Sequence, residues 1–242
     1  METIDPDQGV TASSDASASC PQFQLRAATY ADIPAIARLW KAAFFDDEII
    51  GHLMHPYREE YPEDLYWFLL RGNREQYWNQ RHQFVVVTVN EDGRNEHLIG
   101  AANWRRLGEG GENRELAAWD PRSLIAHIIR RYHGVSLKFF PNRAADPAQT
   151  AWLDDAVEAS EQYWTGDRAE CWDLHVCGVH PDYQGQGVGR LLAEWGVKEA
   201  QKEGDHVVAS VLCGEKNRGF YGKAGLSVEV HKGEQGLALF SR

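Results

Sequence analysis

The sequence predicts a mixed α/β domain, and three observations carry that expectation. Short β-branched or alternating apolar runs recur along the chain, amphipathic helical runs stand between them, and a long helical excursion interrupts the series. Read in order, the elements are β-α-α-β-β-(insertion)-β-α-β-α-β-β. The 242 residues suit one core fold with an insertion, and 43 % apolar content with nine tryptophans fills a core.

Residues 1–20 contain four acidic residues, no basic ones and almost no large apolar side chains, so they read as a disordered acidic tail ahead of a single domain at 21–242. Phe23, Leu25 and Ala27 alternate as a short strand. Thr29 with Asp32 forms a capping-box pair ahead of Ile33, Ile36, Trp40 and Phe44 at helical spacing. FFDDEIIGHLMHPY breaks that pattern into a turn and a short helix, and residues 62–80 form another helix. QFVVVTV (83–89), the turn EDGR and HLIGAANWRRL (97–107) make a hairpin. Gly108, Gly110 and Gly111 then open a mainly helical block that lasts to about residue 169. WDLHVCGV (172–179) is strand-like, and Val188, Leu191, Leu192 and Trp195 mark one side of the helix after it. HVVASVL (206–212) is a strand, EKNRGFYGKA a short helix, and LSVEVHKG with LALF a closing strand pair.

Composition removes several function classes. No stretch approaches the roughly 18 to 20 apolar residues of a membrane helix, and the acidic N-terminus lacks the features of a secretory signal. A cytoplasmic location is expected. The net charge of −11 weighs against nucleic acid and is compatible with a cationic small substrate. Cys20, Cys171, Cys177 and Cys213 have no metal or redox spacing, so reduced thiols and no metal site are expected.

The chemistry concentrates in HPDYQGQGVGRLL, residues 180–192. A strand, a glycine-rich turn and a helix form the general anion-binding arrangement, with free N–H groups at a helix N-terminus. A dinucleotide fingerprint fails because Arg190 stands at its last glycine, and a P-loop fails because no Lys-Ser/Thr pair follows. What fits is Q-x-x-G-x-G, made by Gln184, Gly187 and Gly189, flanked by VHPDY and GRLL. In this the chain resembles the GCN5-related N-acetyltransferase (GNAT) superfamily, and in style its uncharacterised fungal members. RAATYADIPAI resembles that family's first strand and helix, and NRGFYGKAGL its segment before the last hairpin. Residues 108–169 fall outside the pattern.

The resemblance implies a central, mostly antiparallel mixed sheet flanked by helices, with the insertion between the third and fourth strands. It implies acetyl-CoA as donor, its pyrophosphate held by Gln184, Gly185, Gln186, Gly187, Val188, Gly189 and Arg190. Side chains at 185, 187 and 189 would block that approach. The Cys177 backbone N–H would polarise the thioester carbonyl, Gly178 and Val179 would line the pantetheine arm, and Asn217 would bond it. Tyr221 would protonate the departing thiolate. Strict alternation in 172–179 places Asp173, His175 and Cys177 on one face, making Asp173, His175 or a water chain the candidate base for a protonated amine. Phe44, Phe45, Asp46 and Asp47, with Glu48 beside them, would line the acceptor pocket. The expected reaction is direct acetyl transfer to a primary amine of a small molecule. A protein or peptide amine acceptor and a non-catalytic acyl-CoA-binding regulator are the alternatives. The insertion would cover the pocket, or serve a homodimer or stability.

Overall fold

The computed structural model describes residues 23–90, 96–114, 120–233 and 236–242. The expected acidic tail, Cys20 and the EDGR turn lie outside the described residues. The strands are β1 (Phe23–Ala27), β2 (His82–Asn90), β3 (Glu96–Leu107), β4 (Cys171–Val179), β5 (Val208–Cys213), β6 (Val228–Gly233) and β7 (Gly236–Phe240). The helices are α1 (Ile33–Phe44), α2 (Pro62–Tyr77), α3 (Glu109–Glu112), α4 (Pro121–Phe139), α5 (Pro147–Ser160), α6 (Val188–Glu203) and α7 (Arg218–Lys223). This is the order expected from the sequence. The short helix after α1 is a π-helix, Glu48–Leu53.

One seven-stranded sheet runs β1-β2-β3-β4-β5-β7-β6. Every neighbouring pair is antiparallel except β4 and β5, whose parallel pairing is served by the α6 crossover. Helices cover both faces. On one side Val188, Leu192 and Ala193 of α6 pack against Val87, Trp104 and Leu174. On the other, Ile36 and Trp40 of α1 and Leu69 of α2 pack against Phe84, Val86 and Ala101. Indole N–H groups pin both layers: Trp104 Nε1 donates to Leu192 O at 3.1 Å, and Trp40 Nε1 to Ala101 O at 3.2 Å. Gly196 permits the first contact, since a Cβ there would lie 2.5 Å from the Trp104 ring.

Two irregularities shape the site. The β4–β5 pairing ends at Leu174↔Val211, while β5 continues to Cys213 against β7. From there β4 runs on to Val179 paired only with β3 among the described strands, so the sheet opens as a fork. Just at its apex the β3–β4 register shifts: Asn103 faces Val176 and Trp104 faces Leu174, leaving His175 as the extra, bulged residue. The bulge corrects the strict alternation expected for this strand. Asp173 and His175 point to the α1/α2 side, as does Val176, which packs among the α1 residues. Cys177 lies with Trp172, Leu174 and Val179 on the α6 side. One inserted residue is enough to reverse the faces beyond it.

The insertion is tied into the core at several points. Arg106, almost wholly buried, bonds Glu170 at 2.6 Å and Glu203 of α6 at 2.9 Å, and donates to Leu107 O. Arg114 reaches the same Glu203 at 2.9 Å. Trp164 packs over Cys171, Val208 and Phe240 and donates to Ser210 Oγ at 2.8 Å. This part of the insertion braces the sheet.

Candidate active site

The glycine turn sits at the open end of the fork, between β4 and α6. Gly185 and Gly187 adopt positive φ (75° and 88°), and Gly187 is the residue that starts α6. Among the described residues no backbone N–H from Gly185 to Arg190 makes a turn, loop or cap bond to a protein acceptor, so these donors stand at the end of α6 where the helix dipole is positive. The side chains around them are occupied elsewhere. Gln184 donates to Val179 O at 3.2 Å, Gln186 to Asp182 O at 3.0 Å, and Arg190 to Glu194 at 2.6 Å. Within the protein itself the three glycines meet different requirements. Added Cβ atoms at 185 and 187 would meet nothing within 4 Å, so their requirement is the left-handed backbone. At Gly189 a Cβ would press on the Phe220 ring at 3.1 Å, which is a packing requirement.

Tyr221 stands on α7, nearly buried in the core that faces α6. Burial, with the nearby Cys177 and Cys213 thiols, raises its pKa well above the usual phenol value, so it stays protonated. Tyr221 shares its apolar cluster with Cys177 of β4 and Cys213 of β5. Burial also pushes Cys177 up to about 12 and Cys213 up to about 11, which keeps both as thiols. A Cys177 thiolate nucleophile is disfavoured in that setting. Gly178 faces α1, where a Cβ would lie 2.6 Å from the Trp40 ring. Asn217 is half-buried just before α7, its N–H bonded to Gly214 O at 3.0 Å.

The two candidate bases occupy different settings. Asp173 is buried, accepts from Ser210 Oγ at 3.0 Å and pairs with Arg105 at 3.3 Å. Ser210 in turn accepts from Trp164 and from the Cys171 thiol at 3.0 Å. Burial raises the Asp173 pKa against the pull of Arg105. His175 remains reachable by solvent, yet its ring nitrogens are set among protein atoms that desolvate them. That desolvation, with the Arg105 charge, holds its pKa at about 4. A chain of hydrogen bonds fixes its ring: His82 Nδ1 to Asn103 Oδ1 at 3.0 Å, Asn103 Nδ2 to Gln76 Oε1 at 2.7 Å, and Gln76 Nε2 to His175 Nε2 at 3.2 Å. With Gln76 donating, neutral His175 carries its proton on Nδ1. Ser210, Arg105, Gln76, Asn103 and His82 escaped the sequence reading. They come from separate strands and a helix, and no motif joins them.

The expected acceptor loop borders the same opening. Phe44 packs on Trp40 and faces Gly178, and the Phe45 ring lies under the Arg58 guanidinium, 5.4 Å away. Asp46 is exposed, 3.8 Å from Arg58. Asp47 caps the π-helix, accepting from the Ile49 and Ile50 N–H groups at 2.9 and 3.0 Å. Glu48 pairs with Lys216 at 3.1 Å, linking this loop to the residues just before α7. Among the described residues no cluster of His, Cys, Asp and Glu could hold a metal ion, and no helix is long and apolar enough to cross a membrane.

Residues 136–226, which contain β4, the glycine turn, α6 and Tyr221, match the family model described as the acetyltransferase (GNAT) family. This stretch is similar to the GNAT acetyltransferase family. No curated protein matches the chain. Among solved structures, a histone acetyltransferase HPA2 and related acetyltransferase from Corynebacterium glutamicum is similar at 16 % identity and a TM-score of 0.52. That likeness covers 91 % of this chain and 95 % of the other. A PaiA N-acetyltransferase from Thermoplasma acidophilum, solved with coenzyme A, is similar at 13 % identity and a TM-score of 0.50, over 91 % and 99 % of the two chains. Both likenesses concern the fold and span nearly the whole chain.

Proposed function

We propose that this protein is an acetyl-CoA-dependent N-acetyltransferase that transfers acetyl directly to a primary amine of a small molecule. The observation that carries this is the run of N–H groups from Gly185 to Arg190 at the start of α6 that make no turn, loop or cap bond among the described residues, a cradle suited to a pyrophosphate. The fork between β4 and β5 supports it, because its unpaired strand edge is available to the amides of a pantetheine arm. The coenzyme A in the Thermoplasma structure agrees with that choice of donor.

Each residue then has a role derived from its setting. The Cys177 N–H, at the open edge of β4, polarises the thioester carbonyl. Tyr221, kept protonated by burial, gives its proton to the departing sulfur. His175, the solvent-reachable member of the pair, takes the amine's proton at Nε2, directly or through water, once the Gln76 amide releases that lone pair, while Asp173 is engaged by Arg105 and Ser210 and holds the strand. With a pKa of about 4, His175 is a weak base, so the acceptor must supply its own free-base fraction. Asn217 lies beside Tyr221 to bond the arm. Phe44, Phe45 and Asp46 line the acceptor side, and the Glu48–Lys216 pair narrows its rim, which favours a small acceptor.

Calorimetry with acetyl-CoA and an assay of released coenzyme A across small amines and amine-bearing peptides test this reading. Micromolar binding and release with small amines are expected. Release with peptides alone would overturn the acceptor class, binding without any release would favour a regulator, and no binding near millimolar acetyl-CoA would sink the proposal.

A further inference from the structure

A second cavity of about 560 Å³ lies between α2 and the inserted α4, closed by residues 139–143. Nothing from β4, β5, α6 or α7 lines it, so it is separate from the fork. Its size is that of a small-molecule pocket. Its walls are Trp67 of α2 and Tyr132, Phe139 and Phe140 from the insertion, rings left between 46 % and 75 % exposed. Large aromatic surface gathered around a concavity is costly to leave in water and marks a place that something covers.

The charges decide what that something is. Arg71 and Arg74, one turn apart on α2, both line the cavity. Arg71 spends one donor on Phe140 O at 3.1 Å. Arg74, half-buried, has no acceptor partner among the described residues. The carboxylates at the margin are already taken: Asp64 by Arg143 at 2.9 and 3.0 Å, and Glu63 by Lys41 at 2.6 Å. His133, on the floor, is bonded to Glu75 at 3.0 Å. In a chain of net charge −11, this leaves a cationic pocket with an aromatic lining and an idle guanidinium fork.

We propose that the α2–α4 cavity binds a small carboxylate with an apolar or aromatic body, its acid held by Arg74 with Arg71 and its body between Trp67, Tyr132 and Phe139. The site does not depend on the transferase reading. A neutral isostere loses the charge-assisted pair while keeping the stacking, so acid and amide separate the two contributions.

The test is calorimetry on the full chain with 1-naphthoate, indole-3-acetate and octanoate, each beside its neutral amide, with and without saturating acetyl-CoA. Dissociation constants of roughly 10 to 500 µM are expected for at least one acid, with its amide at least about tenfold weaker. Arg74→Gln should erase that difference, Trp67→Ala should weaken acid and amide together, and acetyl-CoA should change the acid's affinity by less than about twofold. Arg74→Lys, which keeps the charge without the fork, should fall between wild type and Arg74→Gln, and it serves if the glutamine variant does not fold. No heat with any acid at about 5 mM overturns the proposal. So do equal affinity for acid and amide, an Arg74→Gln variant indistinguishable from wild type, or displacement by acetyl-CoA.

Discussion

At the scale of single residues, Tyr221 is the clearest case of environment setting chemistry. A phenol in water is a poor acid at neutral pH, and burial makes it poorer still as a free group. On the proposed reading, the same burial keeps the proton present when a thiolate forms beside it, and a thiolate appearing in that dry setting is basic enough to take it. Tyr221→Phe should therefore lower kcat by roughly 10- to 100-fold while leaving acetyl-CoA affinity within about twofold. Unchanged turnover in steady-state kinetics would remove Tyr221 from the reaction. The neighbouring thiols sharpen the contrast, since neither Cys177 nor Cys213 is deprotonated at neutral pH in this pocket.

At the scale of elements, the site depends on one turn and one bulge. The turn needs a left-handed residue at 187, and a Cβ there is strained although nothing stands in its way. Gly187→Ala should cost about 1 to 2 kcal/mol in stability and weaken acetyl-CoA binding several-fold by twisting the first amides of α6. Gln186→Ala should do neither, and thermal melts with calorimetry would read both. The turn was legible in the sequence because its glycines are a local signal. The bulge at His175 was not, because WDLHVCGV alternates well enough as a regular strand and the extra residue is created by the register with β3. For the same reason the expected face shared by Asp173, His175 and Cys177 came apart, although every residue of that strand had been identified.

At the scale of the whole molecule, element order, sheet and insertion were readable from the sequence. The long-range polar network was not: His82, Asn103 and Gln76 come from β2, β3 and α2 and meet only when the fold is complete. That network makes an acid-stability prediction. His82 is held at about 3 by burial and the neighbouring His175, which is itself held at about 4. In the unfolded chain both return towards 6.5. Between those limits the unfolded state binds more protons, so stability is complete above about pH 6.5 and is lost as pH falls towards 4. Melting temperature should drop by several degrees between pH 7 and 5, and His82→Phe should flatten that slope. A wild-type profile level across this range would contradict the neutral His82–His175 pair.

The amides from Gly185 to Arg190 carry one more consequence. On the proposed reading they form a recognition surface made of main chain, which is invisible to side-chain scanning. Alanine replacements at Gln184, Gln186 and Arg190 would remove only their bonds to Val179, Asp182 and Glu194 and leave every donor in place. A mutational map of this loop would thus show tolerant positions around a few intolerant glycines, and tolerance there would measure who supplies the contact rather than whether the contact matters.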